Sequence, residues 1–183
     1  MATATVSRRP VRALQQPKVR RQWFVLLYTL ALTPLPLVGT LGYENSLALT
    51  APMSLLGALV GVDVIRELRT TPAHEISRTG GRTTVLLAAA RIGLSEIAWL
   101  LAISLGVMFG TLVITRNCDP LGGLVFFLVG PACSAALGWI CGLWGGVLHR
   151  RRWVQVSLAL LPIFACLAIA LWRLYHAPVV FAF

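Results

Sequence analysis

The chain has 183 residues, 57% of them hydrophobic and only 12% charged, and a formal net charge of +10. A soluble domain carries charge on about a quarter of its residues, so this composition excludes an ordinary water-soluble fold. The cationic excess does not point to nucleic acid either, because the arginines flank apolar stretches and are not interleaved with exposed aromatics.

Of the 16 lysines and arginines, 14 fall in three places: the first 22 residues, the stretch Arg66 to Arg91, and the cluster Arg150 to Arg152. Every second connection between apolar stretches is therefore basic, as the positive-inside rule requires. This pattern predicts an all-α integral membrane protein, a polytopic bundle of five transmembrane helices with the N-terminus cytoplasmic and the C-terminal end outside.

Residues 1–22 hold six basic and no acidic side chains and read as a basic cytoplasmic arm. A transit peptide or a secretory n-region is disfavoured, since the apolar run that follows is long enough to span and lacks a small-x-small cleavage site. Residues 23–173 form the five-span domain. The first span, Trp23 to Gly42, is uncharged and kinked by Pro34 and Pro36. After the turn Tyr43-Glu44-Asn45, Ser46 to Val62 returns to the basic side and ends at Asp63. The connection Arg66 to Arg82 is the largest polar segment. Thr83 to Ile114 would be a helix of roughly 48 Å at about 1.5 Å per residue, too long for a hydrocarbon core of about 30 Å. Its start must therefore lie outside, with the span proper at Ile97 to Thr115. An outer turn, Arg116 to Pro120, leads to Leu121–Leu148, where Pro131 kinks one tilted helix in preference to splitting off a re-entrant segment. Trp153 to Trp172 is the fifth span. Residues 174–183 lie on the outer face and end in the apolar run Pro178 to Phe183, which reads as a truncated chain or one continuing into a further region.

The sharpest local pattern is a row of small residues in the fourth span at Gly130, Ser134, Gly138, Gly142 and Gly146, matched in the third by Ala98, Ala102, Gly106 and Gly110. Such rows let backbones approach closely, a main source of helix association in lipid. Spans three and four are therefore expected to pack as an antiparallel pair along these rows. Arg91 and Glu96 are the ionisable residues nearest the membrane interior, where charge is by default a functional signal. Their position near the cytoplasmic boundary favours a local structural ion pair over a coupling role. Cys133, Cys141 and Cys166 lie in apolar spans as small hydrophobes, and Cys118 alone sits in a loop. The three histidines fall in connections or at span ends, so no haem ligation is expected, and neither spacing nor motif suggests a metal, a cofactor or a catalytic set.

The segment His74 to Ser95 distantly resembles the coupling loop of ABC importer permeases, a pattern with glutamate six residues before glycine. Glu75 and Gly81 keep that separation. Ile76 and Ser77 stand where the pattern has two alanines, Ile92-Gly93-Leu94 is displaced by one residue, and Ser95 replaces a proline. The resemblance implies a permease domain, with Glu75 to Gly81 as the segment that would meet an ATPase.

The residues themselves favour a non-catalytic membrane module: the anchoring region of a longer protein, or an accessory subunit packed against other membrane subunits. Anionic lipid headgroups are the expected partners of the arginines, each worth on the order of 1 kcal/mol near a charged surface. Fifteen arginines to one lysine suggest a GC-rich genome, and with it a bacterial inner membrane.

Overall fold

A computed structural model describes residues 10–35, 42–70, 82–114 and 120–176 of the chain. The regular structure among them is helical: α1 (Pro10–Leu32), α2 (Tyr43–Thr70), α3 (Arg82–Ile114), α4 (Pro120–Phe127), a π turn (Leu128–Ala132), α5 (Cys133–Leu148) and α6 (Arg152–His176). Stretches within α2, within α3, through α4 and α5 as one unit, and within α6 are long and apolar enough to cross a membrane.

The expected first span, Trp23 to Gly42, does not form a single described helix. Helix α1 starts at Pro10, inside the basic arm, and stops at Leu32. Proline disfavours helical geometry in the residue before it, so Pro34 ends the helix at its approach. Thr33 and Leu35 instead close tight turns onto the carbonyls of Leu30 and Leu32. Residues 36–41 lie outside the described chain. Arg82–Ile114 is one long helix, as its length in sequence anticipates. Leu121–Leu148 is also continuous, and Pro131 is absorbed by the π turn. Loss of one N–H is accommodated there by an extra residue in the turn, a common helix irregularity.

Helix α2 is the centre of the fold and lies against α5 more extensively than against any other element. The two run in the same direction: Ser134 donates to the Thr50 carbonyl (3.0 Å) near one end, and Gly146 abuts Ile65 near the other. Backbone meets backbone between them. A Cβ on Gly138 would enter the Ser54 carbonyl, and one on Gly142 the Ala58 carbonyl; from the facing side, Gly57 meets Ala135 and Gly61 meets Trp139.

The small-residue row of the fourth span is thus packed, but against α2 and not α3. On α3, Ala98, Ala102, Gly106 and Gly110 are exposed, and no atom of the described residues approaches within 4 Å of where a Cβ on Gly106 or Gly110 would sit. The cause lies on the same helix. Glu96, Leu100, Ser104 and Met108 recur every four residues and are all buried. The alanine–glycine row begins two residues later, about 200° around a helix of 3.6 residues per turn. Turning the polar stripe inward turns the small row out toward lipid.

Helix α1 packs mainly on α3 and runs parallel to it, for Arg21 meets Glu96 and, eight residues on in both helices, Thr29 meets Ser104 at 3.5 Å. A second contact explains a proline. Pro52 cannot donate to the Ala48 carbonyl four residues earlier, and the Tyr28 hydroxyl of α1 donates to that oxygen instead (3.1 Å). Inside a bilayer such a freed carbonyl needs a protein partner.

The C-terminus of α5 is finished by side chains from two other helices. Arg69 of α2 donates to the carbonyls of Val147 and His149, both at 3.0 Å. Gln155 of α6, fully buried, donates to Gly146 (3.1 Å) and His149 (2.7 Å). Carbonyls in the last turn have no intrahelical donor, and these contacts supply donors where α5 turns into α6. Beyond Pro162, α6 leaves the bundle: every described residue from Phe164 to His176 is exposed.

Candidate functional site

Six charged residues of the basic end converge on one cluster. Arg21 projects from α1 between two acids of different helices: Nη1 lies 2.8 Å from Oε1 of Glu96 on α3, and Nη2 bonds Oδ2 of Asp63 on α2. Lys18, one turn earlier on α1, lies 3.7 Å from Glu67 of α2 and 4.0 Å from Glu96. Arg152, at the start of α6, lies 3.9 Å from the second oxygen of Asp63. Three carboxylates and three basic groups from four helices thus meet at one end of the bundle.

The cluster is graded from dry to wet. The side chains of Arg21 and Glu96 are each 8% exposed, Asp63 25%, Lys18 38% and Arg152 56%. Apart from their mutual ion pair, Arg21 Nη1 and Glu96 Oε1 have no hydrogen-bond partner. Two charges removed from water are tolerated only when well paired, and removing one partner leaves the other stranded. Arg21 is suited to this place because its planar fork can engage two carboxylates at once.

Glu96 is buried inside the bundle, but its partner is not Arg91. Five residues separate those two on one helix, which turns them to different faces; Arg91 is exposed, and Glu96 is met from α1. Compared with family models, curated proteins and solved structures, the chain matches none.

Beyond the ion cluster, the seam between the α1–α3 pair and α2 continues as isolated polar contacts. Thr29 and Ser104 meet within the pair, Tyr28 reaches Ala48, and near the far end Asn45 of α2 bonds the Met108 sulfur through Nδ2, while its Oδ1 is buried without a partner. Of the seven buried polar side chains among the described residues, Arg21, Thr29, Asn45, Glu96 and Ser104 belong to the cluster or the contacts that continue it, while Ser46 lies toward Gly130 of the π turn and Gln155 is on α6.

The cluster joins carboxylates to fixed counter-ions, an arrangement that clamps helices together. Among the described residues no group of three His, Cys, Asp or Glu side chains could hold a metal ion. Cys133, Cys141 and Cys166 are free thiols on α5 and α6. Glu75, Gly81, His74 and Cys118 lie outside the described residues. A small groove of about 120 Å³ lies at the far end between α2 and the π turn, lined by Tyr43, Ser46, Leu47, Thr50, Phe126, Val129 and Gly130.

In the sequence Arg21 lies within the basic arm and Asp63 at a span end, and no local spacing joins either to Glu96. The missed signal was the four-residue stripe Glu96, Leu100, Ser104, Met108, which marks the buried face of α3.

Proposed function

We propose that this chain is a non-catalytic membrane module, an accessory subunit or anchoring region that packs against another membrane protein. The observation that carries the reading is the half of α6 beyond Pro162, where Phe164, Leu167, Ile169, Leu171 and Trp172 are all exposed. The ion cluster agrees with it, since each buried charge has a counter-ion and serves to hold helices together. In this reading the chain crosses the membrane five times, with α1 and the following residues to Tyr43 as the first crossing. Arg66, Arg69 and Arg150 to Arg152 face the cytoplasm and the end of α6 faces outward. The arginines contact anionic headgroups, and a bacterial inner membrane is the proposed setting.

Photo-crosslinking residues placed at Leu167 and Trp172 in native membranes test the module. A discrete protein adduct at these positions, absent from a control at lipid-facing Ala102, is expected; adducts to lipid alone at all three positions would refute the partner. Cysteine labelling tests the orientation. Arg151→Cys should react only from the cytoplasmic side and native Cys118 only from outside, and the opposite result reverses the topology.

A permease domain is the second reading, favoured by the buried Arg21–Glu96 pair, because intramembrane charge commonly marks transport paths. It predicts that Glu96→Gln abolishes transport in a protein that still inserts and folds.

A further inference from the structure

We propose that the α1–α3 pair is a movable unit and that the ion cluster centred on Arg21 is the catch that holds it against α2, α5 and α6.

The two sides of the molecule are joined by different physics. Within the α2–α5–α6 body, glycines bring backbones into direct contact: Gly57 and Gly61 of α2 interlock with Gly138 and Gly142 of α5, and Gly145 sits against Gln155 and Ala159 of α6. Small-residue packing of this kind is the strong mode of helix association in lipid, where apolar side chains gain nothing by leaving the acyl chains. Across the seam to α1 and α3 no such interlock exists. Gly106 and Gly110 face away, and contact between α3 and α5 is slight, resting on Gly93 against the Trp139 ring. What fastens the pair is ordinary side-chain packing, Val25, Ile97 and Leu100 sharing one buried cluster with Leu49, Met53 and Leu56 of α2, together with a few polar points: Arg21 and Lys18 to the acids at one end, Tyr28 on Ala48, and Asn45 on Met108 near the other.

The closed seam also leaves polar groups unsatisfied. Asn45 Oδ1 and Trp139 Nε1 are buried without partners, and both belong to residues that touch the seam. An unmade buried hydrogen bond is costly, so opening that hydrates these atoms recovers part of what separation loses. The catch is reachable from water as well, because Lys18 and Arg152 lie at its half-exposed rim while the Arg21–Glu96 pair is covered. A seam closed by side-chain packing and charge pairs, beside a body closed by backbone contact, is a two-state joint of the hinge or shear kind.

Cysteine accessibility distinguishes a catch from a merely stabilising ion pair. In a chain whose four native cysteines are replaced by serine or alanine, Asn45→Cys reports on the seam and Ala58→Cys on the α2–α5–α6 body; both native side chains are almost fully buried. Each is reacted in native membranes with a small charged methanethiosulfonate. With Arg21 present, both should react slowly. Adding Arg21→Gln should raise the rate at Asn45→Cys at least tenfold and leave Ala58→Cys unchanged. Equal acceleration at both sites, acceleration at Ala58→Cys alone, or no change at either overturns the proposal. If Arg21→Gln does not accumulate in the membrane, Glu96→Gln, which leaves Arg21 its Asp63 partner, is read by the same criteria.

Discussion

The same substitution, glycine to alanine, should have opposite consequences at two positions that the sequence assigns to one interface. At Gly142 the added methyl would enter the Ala58 carbonyl and come within 2.9 Å of the Gly61 Cα, where ordinary contact is 3.4–4 Å. All the atoms in its way are backbone, so no rotamer change relieves the clash and α5 must move off α2 along the whole row. Overpacking of this kind costs about 1–3 kcal/mol. At Gly110 nothing lies within 4 Å. There the methyl meets only lipid, and the better helix propensity of alanine contributes up to about 1 kcal/mol in favour of the variant. Gly142→Ala should therefore be less stable than Gly110→Ala by about 1–4 kcal/mol, taking these two ranges together. The assay is reversible unfolding in dodecyl maltoside micelles titrated with dodecyl sulfate, followed by tryptophan fluorescence. Equal destabilisation by the two variants would place α3, not α2, against the glycine row and refute the packing described above.

Further expectations use the same unfolding assay. Arg21→Leu leaves Glu96 only the more distant Lys18 and Asp63 only the more distant Arg152 and should cost about 3–5 kcal/mol, whereas Glu96→Gln, which leaves Arg21 one acid, should cost about 1–3 kcal/mol. Arg91→Gln, on an exposed face, should stay within about 0.5 kcal/mol of the native chain, and a loss as large as that of Glu96→Gln would restore Arg91 as the partner of Glu96. Tyr28→Phe should cost about 1 kcal/mol through the orphaned Ala48 carbonyl, and less in a Pro52→Ala background, where the missing N–H is back. A double-mutant cycle showing no coupling between the two positions would sink that account. Gln155→Leu removes the donors to Gly146 and His149 and should cost about 1–3 kcal/mol, and a neutral result would mean those carbonyls find other donors.

Much of the membrane architecture can be read from composition and spacing, because the bilayer imposes length and apolarity on each helix directly. Leu121 to Leu148 and Thr83 to Ile114 emerge as single helical units for that reason. Which faces meet is a different kind of information. The row Ala98 to Gly110 and the stripe Glu96 to Met108 occupy one helix two residues out of phase, and steric smallness favours one while burial of polar groups favours the other. Only the identity of the facing groups, Arg21 and Thr29 on α1 and Asn45 on α2, decides between them, and those lie 63 to 75 residues from the groups they meet. The first span shows the local limit: an uncharged run from Trp23 to Gly42 looks continuous by hydropathy, yet Pro34 stops the helix at Leu32. Asp63 and Lys18 likewise carry no local mark of their pairing, since each sits where an unpaired, solvated charge would be equally acceptable.

The π turn at Leu128–Ala132 gives the fourth apolar unit a seam of a different sort, one in its reading frame. A π turn holds one residue more than the α-helical turn it replaces, so α4 is out of phase with α5 by about 100° relative to an unbroken α-helix. Deleting a single residue such as Val129 would let the whole unit wind as one α-helix. The glycine row, held against α2, would keep its place, while everything before it would rotate by about 100° and shift by about 1.5 Å. Phe127, now almost fully buried, would swing off its present site, and Phe126 would leave its edge-on contact with Tyr43. A one-residue change of length at this point thus acts as a switch in side-chain phase, able to re-aim the far end of the helix without touching the interface that anchors the rest.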